Sequence, residues 1–228
     1  MDGVNVVCFM WGSKYGIYDV ERLARYVKKR MRTPHRFHLF TDLPYQSLPE
    51  IEVHQIEDRQ LMDRSCFCRL RVFDPEWQKK HGLTGQILCL DLDLLIVGLI
   101  DDLLATPSTF KILQGVNAVN PNPFNCSVML LRAGHHGEVW SDFSLEKARA
   151  ARFHEFPDDQ GWIWHKLPNA DGWRAGAESG IYGFQKPGWP YGSAACPRDA
   201  KIIAFIGARK PTMYTGIKWI RDYWSGQA

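Results

Sequence analysis

Residues 87–98 read Ile-Leu-Cys-Leu-Asp-Leu-Asp-Leu-Leu-Ile-Val-Gly, and no other stretch limits the possible folds so tightly. Nine apolar residues and two acids before the glycine describe a strand covered on both faces, as in a parallel sheet. Asp91 and Asp93 interrupt that apolar run, and burying two carboxylates is costly unless their charge is compensated. In an extended segment positions two apart point to one side, so both acids are expected to face a single spot. The carboxyl end of the strand, where open α/β sheets hold their ligands, is the expected place. A divalent cation between the acids resolves their repulsion, and all-oxygen ligands suit Mg²⁺ or Mn²⁺. The plainer alternative is a pair of acids solvated separately at a strand end.

The rest of the chain supplies matching elements. Apolar runs at 4–10, 35–40, 51–56, 109–113, 125–131 and 201–206 read as strands. One-sided apolar spacing predicts a helix over 18–31, and helices are expected over 67–73, 103–105, 137–152, 158–166 and 216–224. Strands alternating with helices give an α/β fold with a mostly parallel central sheet flanked by helices. The 228 residues suit one domain spanning 1–228, and the Gly/Pro-rich stretch 183–197 is expected to be a loop within it.

Composition removes several function classes. A formal charge of +3, evenly spread, is no nucleic-acid footprint. The densest basic run, Lys28-Lys29-Arg30-Met31-Arg32, ends a predicted helix and suits the dipole there, with weak attraction to an anionic membrane surface left open. No basic leader precedes an apolar run at the N-terminus, and no stretch reaches eighteen uninterrupted apolar residues, so neither a signal peptide nor a membrane span is expected. Of six cysteines, Cys8, Cys89 and Cys126 fall in apolar strands, and Cys66 and Cys68 are spaced poorly for a metal. A cytoplasmic location is the natural expectation.

Five further segments line up, in order, with one family. Asp91-Leu92-Asp93 resembles the metal-binding Asp-x-Asp motif of nucleotide-sugar-dependent glycosyltransferases of the GT-A (Rossmann-like) fold. The loop Trp11-Gly12-Ser13-Lys14-Tyr15, the segment Arg69-Leu70-Arg71-Val72-Phe73, Phe124-Asn125-Cys126-Ser127-Val128-Met129-Leu130, Asp159-Gln160, and Phe205 with Gly207 and Lys210-Pro211 resemble the family 8 type and its bacterial relatives. The resemblance implies transfer of a sugar from a nucleotide-sugar donor, a UDP-sugar, to a saccharide or glycolipid acceptor, with retention, as in polysaccharide biosynthesis. It implies Mn²⁺ or Mg²⁺ on Asp91 and Asp93. Met10, Trp11, Gly12, Tyr15, Arg69, Asp91, Leu92, Asn125, Ser127, Gly207 and Lys210 are the expected donor site, with Asp159 and Gln160 at the reacting carbon. The C-terminal third is expected to take the acceptor, with Trp162, Trp164 and Trp189 as walls, because flat rings stack on the apolar side of a sugar.

Each residue also has a plainer reading. Arg69 could be a salt bridge, Trp11 and Tyr15 loop packing, Asn125 and Ser127 a buried polar network, Asp159 a helix cap, and the tryptophans core. One departure from the family is plain: where its members provide a third metal ligand, a histidine, this chain has Ala204, and Ile206 cannot ligate. Diphosphate oxygens and water can complete a Mg²⁺ shell. Two rival functions stay open. A nucleotidyltransferase also wants paired acids but normally a denser Gly-rich loop after its first strand, and a degenerate protein would bind sugar nucleotides without turnover.

Overall fold

The computed structural model describes residues 3–45, 49–58, 61, 66–117, 121–153 and 156–226. The first strand, β1 (Val4–Met10), pairs in parallel with β2 (His35–Thr41), which pairs in parallel with β3 (Glu52–Gln55). Between them α1 (Ile17–Arg30) buries Val20, Leu23, Tyr26 and Val27, the 3–4 spacing of one helix face. On the other side of β1 lies β4 (Gln86–Leu90), also parallel, followed by β7 (Phe124–Arg132), β6 (Phe110–Gln114) and β8 (Asp171–Arg174). All strands of this seven-stranded sheet run one way except β7, which is antiparallel to both neighbours. The sheet is therefore mostly parallel, as expected.

Both faces of this sheet are apolar, which the alternation within its strands explains. Val4, Val6, Cys8 and Met10 of β1 enter one core with Leu88 and Leu90 of β4, while Val7, Phe9, Ile87 and Cys89 enter a second. The first core is closed by α1, by α7 (Lys218–Trp224) and by a small sheet. That sheet orders β5 (Leu94–Ile96), β10 (Ile202–Ala204) and β9 (Ile181–Gly183). The second core is closed by a 3-10 helix (Phe67–Phe73) and by α4 (Glu138–Ser141), α5 (Leu145–Ala150) and α6 (Asp159–Lys166). Among the described residues the remaining short helices are α2 (Pro75–Lys80), capped by Asp74, α3 (Asp101–Leu104) and a 3-10 turn (Pro211–Tyr214).

Two expectations are corrected. Residues 87–98 are not one strand: β4 stops at Leu90, and β5 leaves for the small sheet, where it pairs antiparallel with β10. The helix expected over 67–73 is present with those bounds, as a 3-10 helix. The helix expected over 137–152 is two, because Ser144 caps a fresh start by accepting a hydrogen bond from the Lys147 amide. Among the described residues no helix is long and apolar enough to cross a membrane. In the last turn of α1, Lys28 is ion-paired with Glu50.

Candidate active site

The crossing between the two sheets makes the site. The Asp91 amide donates to Ser127 O at 3.0 Å, the last rung beside β4, and the Phe205 amide donates to Asp93 O at 3.2 Å, the first beside the small sheet. Asp91, Leu92 and Asp93 thus occupy a turn anchored at both ends. This replaces the extended geometry expected from the sequence. Both acids still border one cavity of about 130 Å³, together with Phe9, Trp11, Lys14, Tyr15, Cys66, Arg69, Leu90 and Leu92. It lies at the carboxyl ends of β1 and β4, where α/β sheets place ligands.

Each acid already has a cation. Lys210 Nζ donates to Asp93 Oδ2 at 2.6 Å, and the Tyr15 hydroxyl donates to the same oxygen at 2.6 Å. Lys210 also bonds Tyr15 Oη. With Asp93 only 6% exposed, this triad is how its charge is tolerated. Burial and the neighbouring Asp93 push the Tyr15 phenol up, so it stays a donor. On the other carboxylate, Arg69 Nη1 bonds Asp91, while Arg69 Nε donates to Asp159 Oδ2 at 2.8 Å and Nη1 also reaches Cys126 O at 3.3 Å. Arg69 is itself buried, so it bridges two acids rather than lying on the surface.

Burial raises the Asp91 carboxyl above the usual range, with Arg69 opposing and Asp93 reinforcing. Asp159, the first residue of α6, is pushed up to about 6 by burial, against Arg69. The cap of α6 is Asp158, which accepts from the Gly161 amide at 2.7 Å, so Asp159 is left to Arg69. Gln160 follows, half-buried, its amide donating to Asp159 Oδ1 at 2.9 Å.

The other expected donor residues have the following places. Met10 is fully buried in the first core, and Trp11 borders the cavity. Gly12 has φ +63 and donates its amide to the Asp42 carboxylate, a left-handed turn that suits glycine. Asn125 and Ser127 are buried on β7, and Asn125 Oδ1 accepts from the Ser127 amide at 3.1 Å; the Ser127 hydroxyl lies where it favours the ionised form of Asp91. Gly207 has φ +75 with open space around its Cα.

The three tryptophans are not brought together. Trp162 is 2% exposed in the second core, its indole N–H donating to Val139 O at 2.7 Å, and Trp164 packs on Phe153 beside the same core. Trp162 is mainly a core residue, its exposed edge bordering an open hollow of about 370 Å³ with Lys147, His165 and Lys166 that Trp189 does not share. Trp189 packs instead with the first core, edge-on to Tyr182 and Phe184. It borders an open hollow of about 410 Å³ with Gln185, Lys186, Tyr191 and Ser193.

Lys14 was not expected at the site, although it stands in the quoted loop. Surrounding protein lowers its pKa first, and Lys210 adds to the effect. Cys66 also borders the cavity, with its thiol pushed up to about 12 by burial. The third-ligand place is closed: Ala204 is fully buried in β10, paired with Leu94 and Gly183, and Ile206 packs against the first core.

No family model matches the chain, and no curated protein matches it in sequence. Solved structures do. The galactosyltransferase LgtC in complex with donor and acceptor sugar analogs superposes with a TM-score of 0.63 at 14% identity, over 97% of this chain and 95% of that one. An active-site glutamine-to-glutamate mutant of LgtC gives 0.64 at 13% identity over the same shares. The apo glycosyltransferase GlyE of Streptococcus pneumoniae TIGR4 gives 0.64 at 16%, over 99% of this chain but 60% of that one. The fold of this chain is the GT-A fold of these glycosyltransferases.

Proposed function

We propose that this chain is a glycosyltransferase that takes a sugar from a UDP-sugar and passes it, with retention, to a saccharide or glycolipid. The observation that carries this reading is the Asp91–Asp93 turn at the carboxyl edge of a glycosyltransferase fold, ringed by Lys14, Arg69 and Lys210. Lys14 and Lys210 crowd each other. A diphosphate entering between them relieves that repulsion, and their charge then stabilises the leaving group as negative charge grows on it.

A hard dication fits the residues present. Asp91 and Asp93 offer oxygen donors at one cavity, and the burial cost on Asp91 exceeds what Arg69 offsets. When bound there, Mn²⁺ or Mg²⁺ supplies further charge to the departing diphosphate. In this reading Lys210 exchanges Asp93 for phosphate. The cavity of about 130 Å³ is well below the ~300–1,000 Å³ of ligand pockets, so its lining side chains move to admit the donor. Trp11 and Tyr15 offer ring faces to the base. Asp159 and Gln160 position the sugar; LgtC too has an active-site glutamine.

For the acceptor we favour the hollow at Trp189. Arg209 Nη1 donates to Phe184 O at 3.1 Å and so ties this loop to the segment that delivers Lys210. Trp189→Ala is expected to raise the acceptor KM about tenfold while donor hydrolysis changes little. Parallel loss of both activities would assign Trp189 to packing alone.

The reading as a whole is tested by incubating the protein with UDP-, GDP- and ADP-sugars, with Mn²⁺ or with a chelator, and measuring the nucleotide released. UDP from one UDP-sugar, faster with Mn²⁺, is the expected result, and the anomeric proton of the product reports retention. Formation of UTP and a sugar 1-phosphate when pyrophosphate is added to the UDP-sugar would instead identify a nucleotidyltransferase, and binding without turnover a degenerate relative.

A further inference from the structure

A second group of ligating side chains lies on β2 and β3 and has no part in the sugar-transfer reading. The register pairs His38 with Glu52 and Phe40 with His54, so all four share the sheet face turned toward the second core. His38 Nδ1 is 3.1 Å from His54 Nε2 and 3.6 Å from Glu52 Oε2, and one ligand atom of each of the three lies within 4.8 Å of the others. The two nitrogens are hydrogen-bonded at 3.1 Å, and two nitrogens held by a tetrahedral ion at ~2.05 Å stand about 3.3 Å apart, so an ion replaces the shared proton with little movement.

Neighbouring groups set which ring nitrogens face inward. Asn5 Nδ2 donates to Thr84 O at 2.6 Å and Arg36 Nη2 donates to Asn5 Oδ1 at 2.9 Å, which fixes the amide's orientation. Asn5 Oδ1 lies 3.1 Å from His38 Nε2. His38 therefore carries its proton on Nε2 and presents a bare Nδ1 to His54 and Glu52. The other nitrogen of His54, Nδ1, lies 3.2 Å from His81 Nδ1. Metal-bound histidines are held in this way, by an outer partner on the nitrogen that does not ligate.

We infer that His38 Nδ1, His54 Nε2 and the Glu52 carboxylate form a Zn²⁺ site. Two imidazoles and a carboxylate suit zinc, in contrast to the all-oxygen pair at Asp91 and Asp93. The Glu52 side chain is 45% exposed, so water has access to the fourth position. None of the three borders the Asp91–Asp93 cavity. The ion would fasten β3, an edge strand, to β2.

Calorimetric titration of the metal-free full chain with Zn²⁺ tests this, alongside thermal melting with and without the ion. Wild type and the double variant Asp91→Asn/Asp93→Asn are expected to bind one Zn²⁺ per chain and to melt at higher temperature with it. Glu52→Gln/His54→Gln is expected to bind at least a hundredfold more weakly and to lose that gain. Should the double variant fail to fold, Glu52→Gln alone, at a solvent-facing position, is expected to weaken binding at least tenfold. Co²⁺ in place of zinc is expected to give d–d bands without a thiolate charge-transfer band, a necessary control because the cysteines are free. Absence of Zn²⁺ binding, unchanged affinity in the Glu52 and His54 variants, loss of binding in the Asp91/Asp93 variant, or a thiolate band would each overturn the site.

Discussion

Replacing Arg69 with methionine is expected to remove roughly 3–5 kcal/mol of folding stability, the cost of breaking a buried ion pair by deleting one partner. Arg69 is 7% exposed and holds Asp159 through Nε and both Asp91 and the Cys126 carbonyl through Nη1. Methionine fills much of the volume but leaves two carboxylates facing each other without a counter-ion. Against a total of about 5–15 kcal/mol, this loss moves the chain close to unfolding. Urea titration is the measurement: a lower midpoint with an unchanged slope is the expected signature. Adding Asp159→Asn to the methionine variant should recover part of the loss, because one of the stranded charges is then gone. A cost below about 1 kcal/mol for Arg69→Met would mean that water compensates the acids, and Arg69, Asp91 and Asp159 would not be a buried network.

Which of these relations the sequence could carry follows from how local they are. The alternation that sends Val6 and Cys8 to one core and Val7 and Phe9 to the other is visible within one strand, so the layered α/β order was readable. The acid pair was readable too, but not its turn. Leu94, Leu95 and Ile96 are as apolar as Ile87 to Leu90, and hydrophobicity does not record that the partner strand changes from β7 to β10. The break in the 137–152 helix rests on Ser144, a single cap among residues that otherwise suit a helix. Arg69 meets Asp159 across 90 positions, and His38, His54 and His81 come from separate segments, so no spacing along the chain announces either group. Trp162 and Trp189 look alike in sequence; only the fold buries one in the second core and leaves the other partly buried at the edge of the first.

The largest expected effect on activity belongs to Asp159. Its carboxyl is 3% exposed and pushed up to about 6, burial being the main cause and the Arg69 guanidinium the main opposing one. A raised carboxyl takes up its proton as pH falls through about 6, so an enzyme that needs the ionised form is expected to lose kcat/KM nearly tenfold per unit below that point and to level off above it. Asp159→Asn removes the charge at every pH. The variant is expected to run about 10²–10³-fold slower at pH 7.5 and to show no acid limb near 6. Stability moves the opposite way. Between 3.8 and about 6 the folded chain binds more protons at this position than the unfolded chain, so the contribution of Asp159 to stability falls as pH rises through that window. Asparagine abolishes that slope, so the variant is expected to gain stability relative to wild type as pH rises, offset by a constant loss from the weakened pairing with Arg69. Activity profiles and urea midpoints at pH 4.5, 6 and 7.5 therefore separate the two roles. An acid limb near 6 that survives in Asp159→Asn would assign the titrating group elsewhere, and a variant within a factor of three of wild type would remove Asp159 from the reacting centre.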